Sequence, residues 1–196
     1  DAAIGQAVST WEKVVAEYGE AAVAGLGHRI EHFECAGDDH IARARRLGLN
    51  ISVQPAFDAF WGGPEGLYAA RIGAQRASAM NRFGTMLRAG LSLGAGSDST
   101  VTPLDPLLQV QALCTHHVEA ERLSARQALR MHTLGSRGLG GQDGAAGTIE
   151  PGRWADLIAV DRDPEACEGE DIGATQVLGT WIKGVRVWPE RDAETR

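Results

Sequence analysis

Apolar residues recur along this chain with two different spacings, which together predict the order of its helices and strands. Residues 4–18 carry apolar side chains at the three- and four-residue spacing of an amphipathic helix. Short apolar runs at 22–33, 49–53 and 91–95 are typical of strands, and helices are predicted between them, including one at 78–88. Strands that alternate with helices predict an α/β fold with parallel strands and crossover helices.

The pattern changes after Gly147, where short apolar runs alternate with glycine and proline turns. Strands are predicted at 157–160 and 177–187, and the glycine and proline turns around them indicate a small β module rather than another crossover unit. We therefore divide the chain into an α/β segment, 1–146, and a small β segment, 147–196.

Composition excludes several classes of protein. Of the 196 residues, 43% are hydrophobic and 23% are charged, which is typical of a globular protein rather than a disordered or membrane-spanning one. A formal net charge of −7 with scattered basic residues argues against a nucleic-acid partner. The three cysteines are odd in number and lack C-x-x-C spacing, which favours a reducing, cytoplasmic location over a disulfide scaffold.

Two histidines and one aspartate are the first candidates for chemistry. His28 and His32 are four residues apart on the strand predicted at 22–33, so they should share one face, with His32 at the carboxyl end. Asp98 follows the strand predicted at 91–95. Imidazole and carboxylate groups are both zinc ligands, so a metal site is one interpretation. The alternative is a hydrogen-bonded core histidine with a helix-capping aspartate.

Two further groups of residues were interpreted from their positions. The segment 57–64 contains Phe57, Phe60 and Trp61, and it is predicted to be a loop that is long enough to cover or bind a substrate. Simple packing of this loop is the alternative. His116 and His117 are adjacent in a predicted helix, so they should not face one partner, and exposed positions are expected for both.

A nucleotide-binding domain has little support. Gly94-Ala95-Gly96 follows a predicted strand, but Ser99 stands where the third glycine of a dinucleotide fingerprint belongs. Neither a phosphate-binding P-loop nor a nucleophile elbow occurs in the sequence.

Four segments together resemble one known family. They are 28–32 (HRIEH), 52–55 (SVQP), 96–98 (GSD) and 147–161 (GTIEPGRWADLIAVD). In this order they are similar to metal-dependent amidohydrolases, specifically the branch of YtcJ-like and N-substituted formamide deformylase-like proteins. The similarity extends over essentially the whole chain, including its final apolar stretch at 177–188.

This resemblance implies a fold, a cofactor and a set of site residues. It implies a (β/α)8 TIM barrel with a small β-sandwich, of which 1–146 would hold strands six to eight and 147–196 part of the sandwich. One or two divalent ions, with zinc expected, would bind at the carboxyl face. The implied roles are metal ligand for His32, metal ligand and general base for Asp98, site support for His28 and Gln54, and an apolar substrate surface for Phe57, Phe60 and Trp61.

The chain also departs from the family pattern. The His-x-His of the first barrel strand and the bridging carboxylate or lysine are absent, and Asp1 matches the end of the family's His-Ala-x-Gly-Asp motif. We therefore expect a C-terminal fragment of a hydrolase that cleaves non-peptide C–N bonds in small amides or formamides. Its expected partner is the missing N-terminal half or a second copy, and neither nucleic acid nor a membrane is expected. The alternative is a catalytically inactive fragment or assembly subunit.

Overall fold

Three short parallel strands form the sheet that organises the α/β segment. The computed structural model describes residues 1–142 and 144–189. Strands β1 (Arg29–Glu31), β2 (Asn50–Val53) and β3 (Ser92–Ala95) lie in the order β1-β2-β3. Glu31 pairs with Ser52, which pairs with Gly94, so the carboxyl ends of the strands lie at one edge. The predicted α/β class and the parallel strands are therefore confirmed.

Helices surround and connect these strands. They are α1 (Ala2–Tyr18), α2 (Asp38–Arg46), α3 (Pro55–Trp61), α4 (Leu67–Ile72), α5 (Ala74–Ala77), α6 (Phe83–Arg88), α7 (Pro106–Cys114), α8 (Ala125–Arg130) and α9 (Ser136–Leu139). A π-helical turn, Met131–Gly135, joins α8 to α9. Short 3-10 turns lie at Glu20–Ala22, Glu119–Glu121, Pro164–Ala166 and Gly169–Ala174.

Local sequence signals explain where several helices begin. The Asp105 side chain accepts hydrogen bonds from two backbone N–H groups in the first turn of α7, directly before a proline at the first helical position. Ser124 and Gln127 form a capping box at the start of α8. Such caps satisfy backbone N–H groups that have no partner within the helix.

The hydrophobic core lies between the sheet and its helices. Ile51 and Val53 of the central strand are fully buried, as are Phe83 and Met86 of α6 and Leu113 of α7. Burying an aliphatic or aromatic side chain of this size contributes roughly 1.5–3 kcal/mol. Packing of the central strand against α6 and α7 therefore fixes the position of the strand ends.

Three predicted elements were wrong in extent. The strand predicted at 22–33 is limited to β1, because Gly25 and Gly27 adopt positive φ angles and turn the chain before it. The loop predicted at 57–64 begins as helix α3, which has a proline at its first position. The helix predicted at 78–88 is limited to α6, because Asn81 adopts the left-handed region before it, and α5 already ends at Ala77.

The segment after Gly147 forms an antiparallel sheet of β4 (Leu157–Val160), β5 (Val177–Ile182) and β6 (Val185–Trp188). The single strand predicted at 177–187 is instead a hairpin, because Lys183 and Gly184 both have positive φ and form its two-residue turn. Several of its apolar side chains are exposed, namely Ile158, Leu178, Ile182, Val185, Val187 and Trp188. Asp143 and residues 190–196 of the predicted segments lie outside the described residues.

Within the part of the chain that the structure covers, no helix combines the length and the apolar character that crossing a membrane requires.

The core predicts a large difference between two isoleucines. Ile51→Ala should reduce the free energy of unfolding by about 2–5 kcal/mol, because Ile51 is fully buried in the central strand. Ile158→Ala is the matched control, since Ile158 is 55% exposed, and its effect should stay within about 0.5 kcal/mol. Urea denaturation of both variants measures the difference, and equal losses would contradict this account of the core.

Burial of His132 predicts a loss of stability in acid. Burial lowers the pKa of His132 to about 4 from 6.5, and its Nε2 has no hydrogen-bond partner. Between these pH values the unfolded chain binds more protons than the folded one, so this contribution to stability is complete above pH 6.5 and is lost as the pH falls toward 4. The loss amounts to about 3 kcal/mol. His132→Leu should flatten the pH dependence of unfolding in this range, and a curve parallel to that of the original chain would disprove the assignment.

Candidate active site

Three residues singled out from the sequence follow the carboxyl ends of strands in the parallel sheet. His32 directly follows β1, and its backbone N–H donates to the Ser52 carbonyl of β2 at 2.8 Å. Gln54 directly follows β2, and Asp98 lies three residues beyond β3. Active sites of parallel α/β folds lie at this edge, because loops of different strands meet there.

The two candidate ligands share an unusual backbone conformation. His32 has φ of 70° and Asp98 has φ of 50°, both in the left-handed region that residues other than glycine rarely adopt. Such conformations are retained at functional sites when the surrounding structure enforces them. At His32 the conformation ends the strand and turns the exposed imidazole away from the pleat of the sheet.

Gln54 determines which nitrogen of His32 is free. Its side-chain oxygen lies 2.8 Å from Nδ1 of His32, and Gln54 itself is buried. An amide oxygen only accepts, so Nδ1 carries the proton and donates it, which leaves the lone pair on Nε2. Phe57 stacks against the same ring with 5.9 Å between centroids. Histidine ligands of metals are held in this manner, with one nitrogen bonded to the protein and the other free.

Two buried side chains anchor the loop that carries Asp98 by hydrogen bonds. The Thr102 hydroxyl donates to the Ser97 carbonyl, and Gln109 of α7 donates to the Thr102 hydroxyl at 3.3 Å. Thr102 and Gln109 are both buried, whereas Asp98 is exposed. The exposed Asp98 carboxylate therefore lies on a loop that buried hydrogen bonds hold in place.

The structure does not bring His28 to His32. His28 precedes β1, and its ring stacks on Trp11 of α1 with 4.2 Å between centroids. Four residues of extended chain span about 13 Å, which places His28 at the amino end of the strand. The predicted shared face was wrong, because neither histidine lies within β1 and His32 leaves the extended conformation.

A row of aromatic rings extends from His32. Phe57 contacts Trp61 one turn further along α3 with 4.7 Å between centroids, and Trp61 meets Tyr68 of α4 at 6.2 Å. Phe60 is not part of this row and is 49% exposed. Tyr68 was not singled out from the sequence, and its hydroxyl donates to the Glu34 carboxylate. Burial and this carboxylate both raise the pKa of Tyr68.

The prediction for His116 and His117 was wrong in part: His117 is exposed as expected, but His116 is buried and the two rings do share one partner. Helix α7 ends at Cys114, so the two residues are not helical, and both rings contact the buried Asp58 carboxylate of α3. His116 is 1% exposed rather than on the surface. Adjacent residues outside a helix can turn toward a single partner, and this possibility was not visible from the sequence.

Over residues 1–142 and 144–189, no group of three or more histidine, cysteine, aspartate or glutamate side chains is arranged to hold a metal ion. His32 and Asp98 are thus the donors that the sheet edge provides.

The sequence is similar to a known family of proteins over most of its length. The sequence profile of the amidohydrolase family matches residues 1–188. The chain belongs to the amidohydrolase family. It is 26% identical to the putative amidohydrolase YtcJ of Bacillus subtilis over 84% of this chain and 32% of that protein. It is 27% identical to an N-substituted formamide deformylase of Arthrobacter pascens over 80% of this chain and 30% of that protein. The resemblance read from the sequence is confirmed.

A solved structure supports the same relationship. An uncharacterised metal-dependent hydrolase from Pyrococcus furiosus matches with a TM-score of 0.70 and 30% identity. The match covers 84% of this chain and 32% of that chain. This amidohydrolase chain therefore spans about a third of the length of the relatives that it matches.

The contact between Gln54 and His32 generates a test that needs no metal. In the original chain, nitrogen NMR should show His32 protonated at Nδ1 and unprotonated at Nε2, because Gln54 accepts the Nδ1 proton. Gln54→Leu should remove this preference, whereas Gln75→Leu, which changes an exposed glutamine, should preserve it. A His32 tautomer that is the same in all three proteins would show that Gln54 does not orient the ring.

Proposed function

We propose that this chain is the C-terminal part of a metal-dependent hydrolase that cleaves non-peptide C–N bonds of amide or formamide type. The observation that carries the proposal is the His32 imidazole, held by Gln54 with its Nε2 free at the carboxyl edge of a parallel sheet. In this proposal β1 to β3 are strands six to eight of a (β/α)8 barrel. The sheet of β4 to β6 is part of an accompanying β-sandwich.

The residues present fit a divalent metal ion. Strands β1 and β3 are separated by one strand, hence by roughly 10 Å, and side chains from both can reach a point between them. Nε2 of His32 and the Asp98 carboxylate are a nitrogen and an oxygen donor of the kind that zinc accepts. A bound zinc ion would lower the pKa of a water molecule to about 7. Asp98 would accept the proton from the attacking water and return it to the departing nitrogen.

The aromatic row suggests where the rest of the substrate would lie. Phe57, Trp61 and Tyr68 extend from the His32 ring, and Trp61 and Tyr68 are only partly buried. An apolar substituent of an amide would pack on these faces and gain the free energy of leaving water. Phe60, which points elsewhere, would contribute only if the substrate extends around α3.

The site needs donors from outside this chain. Catalytic zinc is usually held by three protein ligands, and no group of three potential ligands is arranged for a metal among the described residues. Strands β1 and β3 also have no further strand beside them among residues 1–142 and 144–189, which leaves their outer backbone groups available for pairing. We propose that the N-terminal part of the protein, or else a second copy, supplies the further metal ligands and pairs with the outer edges of β1 and β3. Light scattering should give a mass above 20.8 kDa for the paired form.

A second candidate is an inactive assembly subunit, which the shortage of metal donors favours. Metal content after dialysis separates the two functions. For either one we propose a reducing, cytoplasmic location, since Cys35, Cys114 and Cys167 are all free thiols. A disulfide found by mass spectrometry in the native protein would contradict that location.

The proposal is tested in the longer protein that contains this chain. His32→Ala should remove most bound zinc and lower kcat/KM for N-substituted formamides or simple amides by a factor of about 1,000 or more. Asp98→Asn should lower kcat by a factor of about 100–10,000, because it removes the proton acceptor. Zinc analysis and steady-state kinetics measure both effects.

His40→Gln is the control, because the His40 ring accepts the Gly37 backbone N–H at the start of α2 and contacts none of the proposed site residues by a hydrogen bond. The isolated chain should bind zinc weakly and show no metal-dependent turnover of amides. Full activity of the His32→Ala protein, or stoichiometric zinc with turnover in the isolated chain, would refute the proposed site.

A further inference from the structure

A second cluster of titratable groups surrounds a cleft of about 420 Å³. The cleft lies between α3, α5 and the residues that follow α7, and its lining includes Asp58, His116, His117, Gln75 and Ser78. Neither the His32 ring nor Asp98 contributes to this lining, and no lysine or arginine does. The site proposed above does not use any of these groups.

Asp58 orients His117 in this cleft. One carboxylate oxygen, Oδ2, accepts the Nδ1–H of His117 at 2.9 Å and the backbone N–H of the same residue at 3.2 Å. Asp58 is 4% exposed, whereas the His117 side chain is 39% exposed. A carboxylate only accepts, so the proton lies on Nδ1 and the lone pair of Nε2 is available to a ligand.

Gly63 makes room for the His117 ring. A Cβ atom at Gly63 would lie 2.6 Å from Cδ2 and 2.9 Å from Nε2 of His117, closer than such atoms approach. The φ of Gly63 is also +82°, which a larger residue would adopt only with strain. The sequence of this turn therefore permits the orientation that Asp58 selects.

His116 supports the carboxylate without neutralising it. Its Nδ1 accepts the Val118 backbone N–H at 3.0 Å, so its remaining proton lies on Nε2, 3.3 Å from Oδ1 of Asp58. This Nε2 is buried and makes no aligned hydrogen bond. Burial lowers the pKa of His116, which keeps the ring uncharged. Oδ2 of Asp58 thus remains free to hold the Nδ1–H of His117.

We propose that Asp58 and His117 form a proton-transfer dyad that hydrolyses small carboxylic esters in this cleft. A buried carboxylate bonded to Nδ1 of a partly exposed imidazole that lines a cleft is the arrangement of a general base. Nε2 of His117 accepts a proton from water as the water oxygen bonds to the ester carbonyl carbon. The C–O bond to the alcohol then breaks, and the imidazolium returns the proton to the departing oxygen, giving acid and alcohol.

This activity is tested on the isolated chain with 4-nitrophenyl acetate in the presence of EDTA, which keeps the test independent of the metal site. We expect hydrolysis above the buffer rate, with kcat/KM lowered at least tenfold by His117→Gln and by Asp58→Asn. His40→Gln is the control and should stay within twofold of the original chain. Circular dichroism establishes that each variant is folded.

A second measurement needs no variant. Diethyl pyrocarbonate should modify His117 at least several times faster than the partly buried His40, as read by peptide mass spectrometry, because the His117 side chain is exposed and its contact with Asp58 leaves the Nε2 lone pair free. Hydrolysis that is equal in the original chain and in His117→Gln would overturn the proposal. Equal losses in His117→Gln and His40→Gln, or modification of His117 no faster than that of His40, would do the same.

Discussion

The register of three parallel strands is the constraint on which the rest of this structure depends. Glu31, Ser52 and Gly94 lie side by side, so the residues that follow each strand emerge at one edge. That register rests on the buried central strand, where a shift by one residue would move Ile51 and Val53 out of the core. The position of His32 beside Gln54 is therefore a consequence of hydrophobic packing beneath it.

Helix α3 contributes residues both to the sheet-edge site at His32 and to the cleft at His117. It begins at Pro55, directly after Gln54, and the buried Gln109 side chain of α7 accepts the Ala56 backbone N–H at 2.9 Å. Phe57 then lies against the His32 ring, while the next residue, Asp58, binds His117. Consecutive residues on a helix point about 100° apart, so one short helix serves both the sheet edge and the cleft.

Among the described residues, parts of the surface are apolar, and two strand edges are not paired with another strand. The sheet of β4 to β6 exposes Ile158, Val185 and Trp188, and the parallel sheet has an outer edge at both β1 and β3. Contiguous exposed apolar side chains and unpaired strand edges are typical of surfaces that contact further protein. The chain also spans only about a third of the length of the relatives that it matches.

The sequence by itself determined the α/β class, the strand at 157–160, the capped starts of α7 and α8, and the family, because each depends on local periodicity, capping groups or contiguous motifs. It also singled out His32, Gln54 and Asp98 as candidate site residues, because each lies in a contiguous motif. Only the tertiary structure decided that Gln54 fixes the His32 tautomer, that His28 packs on Trp11, and that Asp58 meets His116 and His117. Those contacts join residues 17 to 59 positions apart, and the orientations depend on left-handed turns and helix ends that periodicity does not encode.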